Sequence, residues 1–319
     1  MKLLKITIAF VFLLINSLSL LSQPVKDHGQ LKVDNTKIID KAGNSYLLRG
    51  MSLGWHNWWP RFYNTGTIEW LYKDWGCNAV RAALGVEPEG AFISDSIEGM
   101  NKIKAVVEAA IETGIYVIID WHSHGINLEE AKAFFKYMAK TYGDYPNVIY
   151  EVFNEPVKQT WDEVKSYSIE IINTIREYDE DNIILIGSPH WDQDIHIIAD
   201  DPISEFKNVM YTVHFYAATH DNWLRDRCDY AISKGIPIFI TECAGMEANG
   251  DGEIDINELD NWIYWMEKNQ ISWIFYAIAD KDESCSALNP SAGSEGNWSE
   301  NDLKEWGILC KELISKYNK

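Results

Sequence analysis

Two hydrophobic patterns alternate along most of the chain. Short, nearly continuous apolar runs, rich in β-branched and aromatic residues, cover residues 46–53, 78–84, 115–121, 148–153, 182–186, 209–215, 237–241 and 272–278. Runs of that length, apolar on both faces, read as strands of a parallel sheet covered on each side. Between them, segments 67–75, 98–113, 128–142, 160–178, 221–234 and 256–269 carry apolar residues at helical spacing, and a last helix is expected over 301–317. Only the connection 188–207 lacks a clean helical pattern. Ahead of this series, residues 31–40 and 45–53 alternate as short strands about a Lys41-Ala42-Gly43-Asn44 turn.

Eight strands separated by helices predict an α/β fold, a closed (β/α)8 barrel filling residues 23–319 as one domain. An open doubly wound sheet would want a glycine-rich phosphate turn after its first strand, and neither GxGxxG nor GxxxxGK[ST] occurs. Residues 1–22 stand apart: Lys2 and Lys5 precede an apolar run from Ile6 to Leu21, and small Ser22 lies before Gln23 and Pro24. That is the build of a cleaved signal peptide, which makes the expected product a secreted or periplasmic protein with no membrane segment.

Charge narrows the partners. With 28 basic against 48 acidic residues the chain carries a formal −20, which repels nucleic acid and anionic lipid and suits a neutral ligand. Five scattered cysteines, Cys77, Cys228, Cys243, Cys285 and Cys310, form no CxxC pair and read as buried thiols rather than zinc ligands. No HExxH or GxSxG motif is present, so neither a catalytic metal nor a serine nucleophile is expected, and no cofactor is needed.

The chemistry collects where strands end, which in a barrel is the catalytic rim. The run Val148-Ile149-Tyr150-Glu151-Val152-Phe153 stops on Asn154-Glu155-Pro156, and Ile236-Pro237-Ile238-Phe239-Ile240-Thr241 stops on Glu242. The other ends supply Trp55, His56, Asn57, Trp58 and Trp59, then Arg81, Trp121 and His122, His190 and Trp191, His214 and Tyr216, and finally Trp273, Tyr276, Asp280, Lys281 and Glu283. Two carboxyls facing one cleft push each other's pKa apart, giving one acid and one ionised base. Glycoside hydrolysis needs that pair. Arg81 would keep a nucleophilic carboxylate ionised, Tyr216 would hydrogen-bond it, Asn154 would bind a sugar hydroxyl, and rim tryptophans would stack on sugar rings.

The motifs Leu48-Arg49-Gly50-Met51-Ser52, Val80-Arg81-Ala82-Ala83, Ile119-Asp120-Trp121-His122, Val152-Phe153-Asn154-Glu155-Pro156, Val213-His214-Phe215-Tyr216-Ala217 and Thr241-Glu242, with Asp280-Lys281 through Ala287-Leu288, resemble the clan A retaining glycoside hydrolases, and within them family 5, its bacterial endo-β-1,4-glucanase branch. The resemblance runs from about Leu31 onward. It implies Glu155 as acid/base and Glu242 as nucleophile. Arg81, His122, Asn154, His214 and Tyr216 would support them, and Trp58, Trp191, Tyr276, Lys281 and Glu283 would bind a β-glucan along the cleft. The chain departs from the family pattern at Tyr276, where a tryptophan is usual, at Gly54, where a histidine is often found, and at Gly85, where some members have a tyrosine. The expectation is a monomeric, retaining endo-β-1,4-glucanase. The same chemistry on mannan, xyloglucan or mixed-linkage glucan, or a non-catalytic carbohydrate-binding barrel, are the alternatives. One further pattern, Glu247 to Glu258 with oxygen ligands at Asn249, Asp251, Glu253, Asp255 and Glu258 around Gly252, resembles a calcium loop.

Overall fold

In the computed structural model, which describes residues 23–318, eight parallel strands close on themselves: β1 (Arg49–Leu53), β2 (Ala79–Gly85), β3 (Tyr116–His122), β4 (Val148–Glu151), β5 (Ile184–Ile186), β6 (Val209–Tyr216), β7 (Ile238–Ala244) and β8 (Trp273–Ile278). Each pairs with its sequence neighbour, and β8 pairs with β1. The expected signal peptide lies outside the described residues. The helices are α1 (Thr65–Trp70), α2 (Ser96–Thr113), α3 (Leu128–Tyr142), α4 (Trp161–Arg176), α5 (Ile195–Asp200), α6 (Asn222–Ser233), α7 (Ile256–Asn269) and α8 (Glu305–Tyr317). Residues 71–75 continue α1 as a π-helical turn that ends on left-handed Gly76. Helix α4 starts in a capping box, where the Thr160 side chain takes the Glu163 amide and Glu163 returns to the Thr160 amide.

Two cores result. The larger lies between strands and helices; Trp75, Trp121, Trp262 and Trp306 are fully buried there. A smaller one fills the lower barrel with Ala79, Tyr116, Ile118, Leu185, Met210 and Phe239, joined by Leu31 and Ile38 from an N-terminal hairpin. The first strands are shorter than the alternation predicts. The hairpin pairs Lys32–Asp34 with Lys37–Ile39 and turns at left-handed Asn35, while the expected 41–44 turn leads only to an isolated bridge between Ile39 and Ser45. The hairpin closes the barrel's N-terminal end, which leaves the other end for ligands.

All five cysteines are buried and unbonded to one another. Among the described residues no helix is long and apolar enough to cross a membrane.

One irregularity shapes the C-terminal rim of the barrel. Pairing of β6 with β7 runs Thr212 to Phe239 and then His214 to Glu242, and pairing of β8 with β7 runs Trp273 to Ile240 and then Phe275 to Cys243. Both neighbours therefore meet one extra residue on β7, a bulge between Ile240 and Glu242. Thr241 and Glu242, which strict alternation would send to opposite faces, both bond groups inside the barrel.

Candidate active site

The inward positions of the strands change from apolar to polar toward their C-terminal ends: Ala79 then Arg81 on β2, Ile118 then Asp120 and His122 on β3, Ile149 then Glu151 on β4, Met210 then Thr212 and His214 on β6. Arg81 is fully buried at the centre. Its Nε and Nη2 hold both oxygens of Glu151, at 2.7 and 3.1 Å, and Nη2 reaches Asn154 Oδ1 at 2.6 Å and Asp120 Oδ2 at 3.0 Å. Nη1 donates to Glu242 Oε2 at 3.2 Å. One guanidinium thus faces three carboxylates, the setting in which its fixed fork of donors matters most.

Glu242 receives a second hydrogen bond, 2.8 Å, from the Tyr216 hydroxyl to Oε1. Glu155 sits opposite, with His214 Nδ1 2.9 Å from its Oε1 and His124 Nε2 3.3 Å from its Oε2. One oxygen from each glutamate and a ring nitrogen of His214 lie within 4.8 Å of one another. The other nitrogen of His214 contacts Thr241 Oγ1 at 2.9 Å and lies 3.3 Å from buried Asp192. Asn154 spends its carbonyl on Arg81, so its amide Nδ2 has no partner among the described residues and is free to donate to a sugar hydroxyl. His122 gives Nδ1 to Asp120 Oδ2 at 2.6 Å; burial, then Arg81, lowers its pKa and keeps the ring neutral.

Burial alone would raise the pKa of Glu155, but His124 and His214 outweigh it and hold the carboxyl down at about 2. Glu242 is raised, by burial and by the charge of Glu155, against His214, Arg81 and Tyr216. His214 is raised: burial opposes its charge, and Asp192, Glu151, Glu155 and Glu242 favour it more strongly. In the resting site the mobile proton therefore sits on imidazole rather than on Glu155. Were Glu155 to take it, one of the influences raising Glu242 would vanish, which links the two carboxyls.

The rim above this cluster is aromatic. Trp58 is half exposed and stacks on Trp55, with centroids 4.6 Å apart, and Trp55 meets His122 edge-on at 4.4 Å. Trp191 is also exposed, in a stretch where His190, Trp191 and Asp192 all have φ between 55° and 59°. Non-glycine residues resist that conformation, and three in succession need strong support. The Trp191 amide donates to Pro156 O at 3.0 Å, and Asp192 Oδ1 takes the Ser188 amide at 2.7 Å. Tyr276 lies parallel to His122 with centroids 6.4 Å apart, and a cis peptide joins it to Ala277. Lys281 pairs with Glu283, whose Oε1 also accepts from Cys285 Sγ at 3.4 Å.

Several expectations are corrected. Trp121 turns outward and packs on Phe92 and Phe134, and Trp273 is buried with its Nε1 on Glu267, so neither faces the cleft. Asp280 pairs with Arg61 at 2.7 Å. His56 accepts the Gly85 amide through Nδ1 and is buried away from the glutamates. The space above the two departing glycines is filled by aromatics: a Cβ at Gly54 would meet Trp59 at 2.6 Å, and one at Gly85 would meet Asn57 at 2.5 Å and Trp55 at 2.8 Å. The calcium loop does not assemble. Asn249 Oδ1 takes the Asp251 amide, Asp251 Oδ1 takes Ser284, Asp255 caps α7, Glu258 pairs with Arg225 at 2.5 Å and Glu253 is exposed. Glu151, Asp192 and His124 have no role in the sequence reading, and Asp120 and Thr241 stand there only as members of motifs. For Glu151 and Asp120 the signal was present, a charge inside an otherwise apolar strand.

The family model described as cellulase (glycosyl hydrolase family 5) matches residues 39–282. Endoglucanase 5 of Pectobacterium carotovorum subsp. carotovorum is 39% identical over 303 residues, 93% of this chain and 59% of that protein. An endoglucanase of Clostridium saccharobutylicum is 41% identical over 91% of this chain and 66% of its own. The chain thus spans about two-thirds or less of the length of these relatives. Among solved structures, a protein from Cytophaga hutchinsonii superposes with a TM-score of 0.91 at 39% identity, covering 92% of this chain and 97% of that one. The catalytic domain of a Thermobifida fusca endoglucanase, solved with cellotetraose, gives 0.86 at 29% identity over 92% and 99%.

Proposed function

The chain belongs to glycoside hydrolase family 5, the cellulases, and on that footing we propose that it is an exported, monomeric endo-β-1,4-glucanase that cleaves internal bonds with net retention. The observation that carries this is the approach of Glu155 and Glu242 to within 4.8 Å across one rim of the barrel. Retaining enzymes hold their carboxyls about 5–5.5 Å apart, whereas inverting enzymes leave about 6.5–9.5 Å for a water.

Glu242, aligned by Arg81 and Tyr216, attacks the anomeric carbon while Glu155 protonates the departing glycosidic oxygen. Water then enters; Glu155 takes its proton, the new C–O bond forms, and the bond to Glu242 breaks. Asn154 Nδ2 donates to a hydroxyl of the sugar under attack. Tyr276, Trp58, Trp191, Lys281 and Glu283 bind the flanking sugars. No cofactor takes part in these steps.

Tyr276 favours a second reading, the same mechanism on mannan, xyloglucan or mixed-linkage glucan, because its ring offers a smaller stacking face than tryptophan. A non-catalytic binding barrel has no use for two intact, mutually tuned carboxyls.

The test is reducing-sugar release from carboxymethyl cellulose, mixed-linkage glucan, glucomannan, galactomannan and xylan, beside Glu242→Ala, with the anomer of the first product read by NMR. Activity on β-1,4-glucans with a β-configured product, reduced roughly 10⁴-fold or more in the variant, is expected. Activity on galactomannan alone would overturn the substrate, and an α-configured product would overturn the mechanism.

A further inference from the structure

Double displacement closes its own proton cycle through Glu155, so it needs nothing from His124. Yet the structure builds His124 into the site with some care. The residue follows β3, and its loop is fastened by Glu87, whose Oε1 accepts from Ser123 Oγ at 2.5 Å, Asn127 Nδ2 at 2.8 Å and the Gly125 amide at 3.1 Å. The ring stands beside Trp55, with centroids 5.6 Å apart, and its side chain is 43% exposed to the cleft. Its Nε2 meets Oε2 of Glu155, the oxygen that His214 does not occupy. A carboxyl oxygen already engaged by a buried imidazole is poorly placed to protonate a leaving group, so Oε2, which faces only the half-exposed ring of His124, is the one that does so.

We propose that His124 is the proton donor that charges Glu155, and that it thereby sets the upper pH limit of the reaction. The proposal rests on the assignment of Glu155 as acid/base. In the resting site the pair is imidazolium and carboxylate. A saccharide entering the cleft displaces water, and desolvation favours the neutral form of such a pair. The Nε2–H bond of His124 breaks as the O–H bond on Oε2 forms, the ring keeping its nitrogen lone pair and becoming neutral. That proton passes to the leaving oxygen; Glu155 later recovers one from the attacking water and returns it to the imidazole when product leaves. No electrons change hands and no co-reactant is required.

The surrounding charges fit. Burial opposes a charge on His124, but Glu155, with Glu87 and Glu242 behind it, raises its pKa above the ordinary histidine value. The neighbouring imidazole, His122, with its centroid 6.4 Å away, is kept neutral by burial and by Arg81. Around Glu155 itself the titratable groups are His124, His214 and Glu242, with Asp192, Tyr216 and His220 beyond them. Because the pair shares one proton, it stays loaded until imidazolium is lost, well above the range in which an isolated carboxyl would have discharged.

Two measurements test this, one independent of turnover. In an NMR titration of the full chain, the His124 ring signal, assigned by its loss in His124→Gln, should titrate above the ordinary histidine value and move down in Glu155→Gln; a midpoint unmoved by that change overturns the proposal whether or not the protein hydrolyses any glucan. In pH profiles of kcat/KM on cellotetraose, both His124→Gln, which keeps a donor that does not titrate, and His124→Ala should lose about tenfold more activity at pH 8 than at pH 5.5, with the acid limb unchanged. A loss equal at all pH values, or a wild-type profile restored by glutamine, would make His124 a positioning residue and sink the donor role.

Discussion

Arg81 grips both oxygens of Glu151, at 2.7 and 3.1 Å, and so meets Glu242 with Nη1 alone, at 3.2 Å. The strongest pairing of Arg81 is thus to Glu151 and not to the proposed nucleophile. Glu151 fixes the guanidinium plane, so that one donor is held on Glu242, the proposed nucleophile, without reorganisation. Removing one partner of a buried ion pair leaves the other uncompensated. Glu151→Ala should cost about 3–5 kcal/mol in denaturant unfolding, and kcat should fall while KM changes little. An undiminished unfolding free energy would show that Asp120 and Glu242 alone suffice for Arg81.

Tyr276 presents its ring parallel to His122, centroids 6.4 Å apart, and the proposed function makes it a sugar platform. Tyr276→Trp enlarges that face. The expected result is a fall in KM for cellotetraose of roughly two- to tenfold, equivalent to about 0.5–1.5 kcal/mol, with kcat little changed. A raised KM would mean that the tyrosine hydroxyl, not the area of the ring, does the binding.

His56 is buried, and burial lowers its pKa to about 4, so it folds as the neutral ring. The unfolded chain binds that proton near pH 6.5. The native state therefore loses stability from this group as pH falls from about 6.5 toward 4, and has lost none of it above that window. His56→Gln should cost stability at pH 7 through the Gly85 contact, and the difference in melting temperature from wild type should shrink by pH 4.5. A difference constant over that range would mean that the ring is protonated in the fold.

Glu258 pairs with Arg225, and Arg225 lies over the ring of Trp262, centroid distance 4.8 Å. The ion pair takes up Glu258, the last of the expected calcium ligands. Adding calcium should leave the melting temperature unchanged, whereas Glu258→Ala should lower it; a clear rise with calcium would restore the loop as a metal site.

Much of the barrel could be read directly, because burial on both faces makes a parallel strand continuously apolar and burial on one face gives a helix its period. Segments 128–142 and 256–269 match α3 and α7 to the residue. The N-terminal hairpin slipped, where local pattern competes with closure, and between β5 and β6, where no clean helix is expected, the left-handed 190–192 stretch leads into the short helix α5.

The eight strand–helix repeats, the two glutamates at strand ends and the aromatic character of the rim can all be read along the chain. All of these are local, carried by composition and period within a few residues. Which polar groups meet follows from closure of the barrel. Arg81 reaches Glu151 across 70 positions and Glu242 across 161, distances over which periodicity carries no information. The bulge in β7 turns Glu242 inward although alternation would point it out, and it can be recognised only from the strands on either side. His124 and Asp192 lie in loops with no pattern to expose them, and they acquire their roles because closing the barrel sets them against Glu155 and His214.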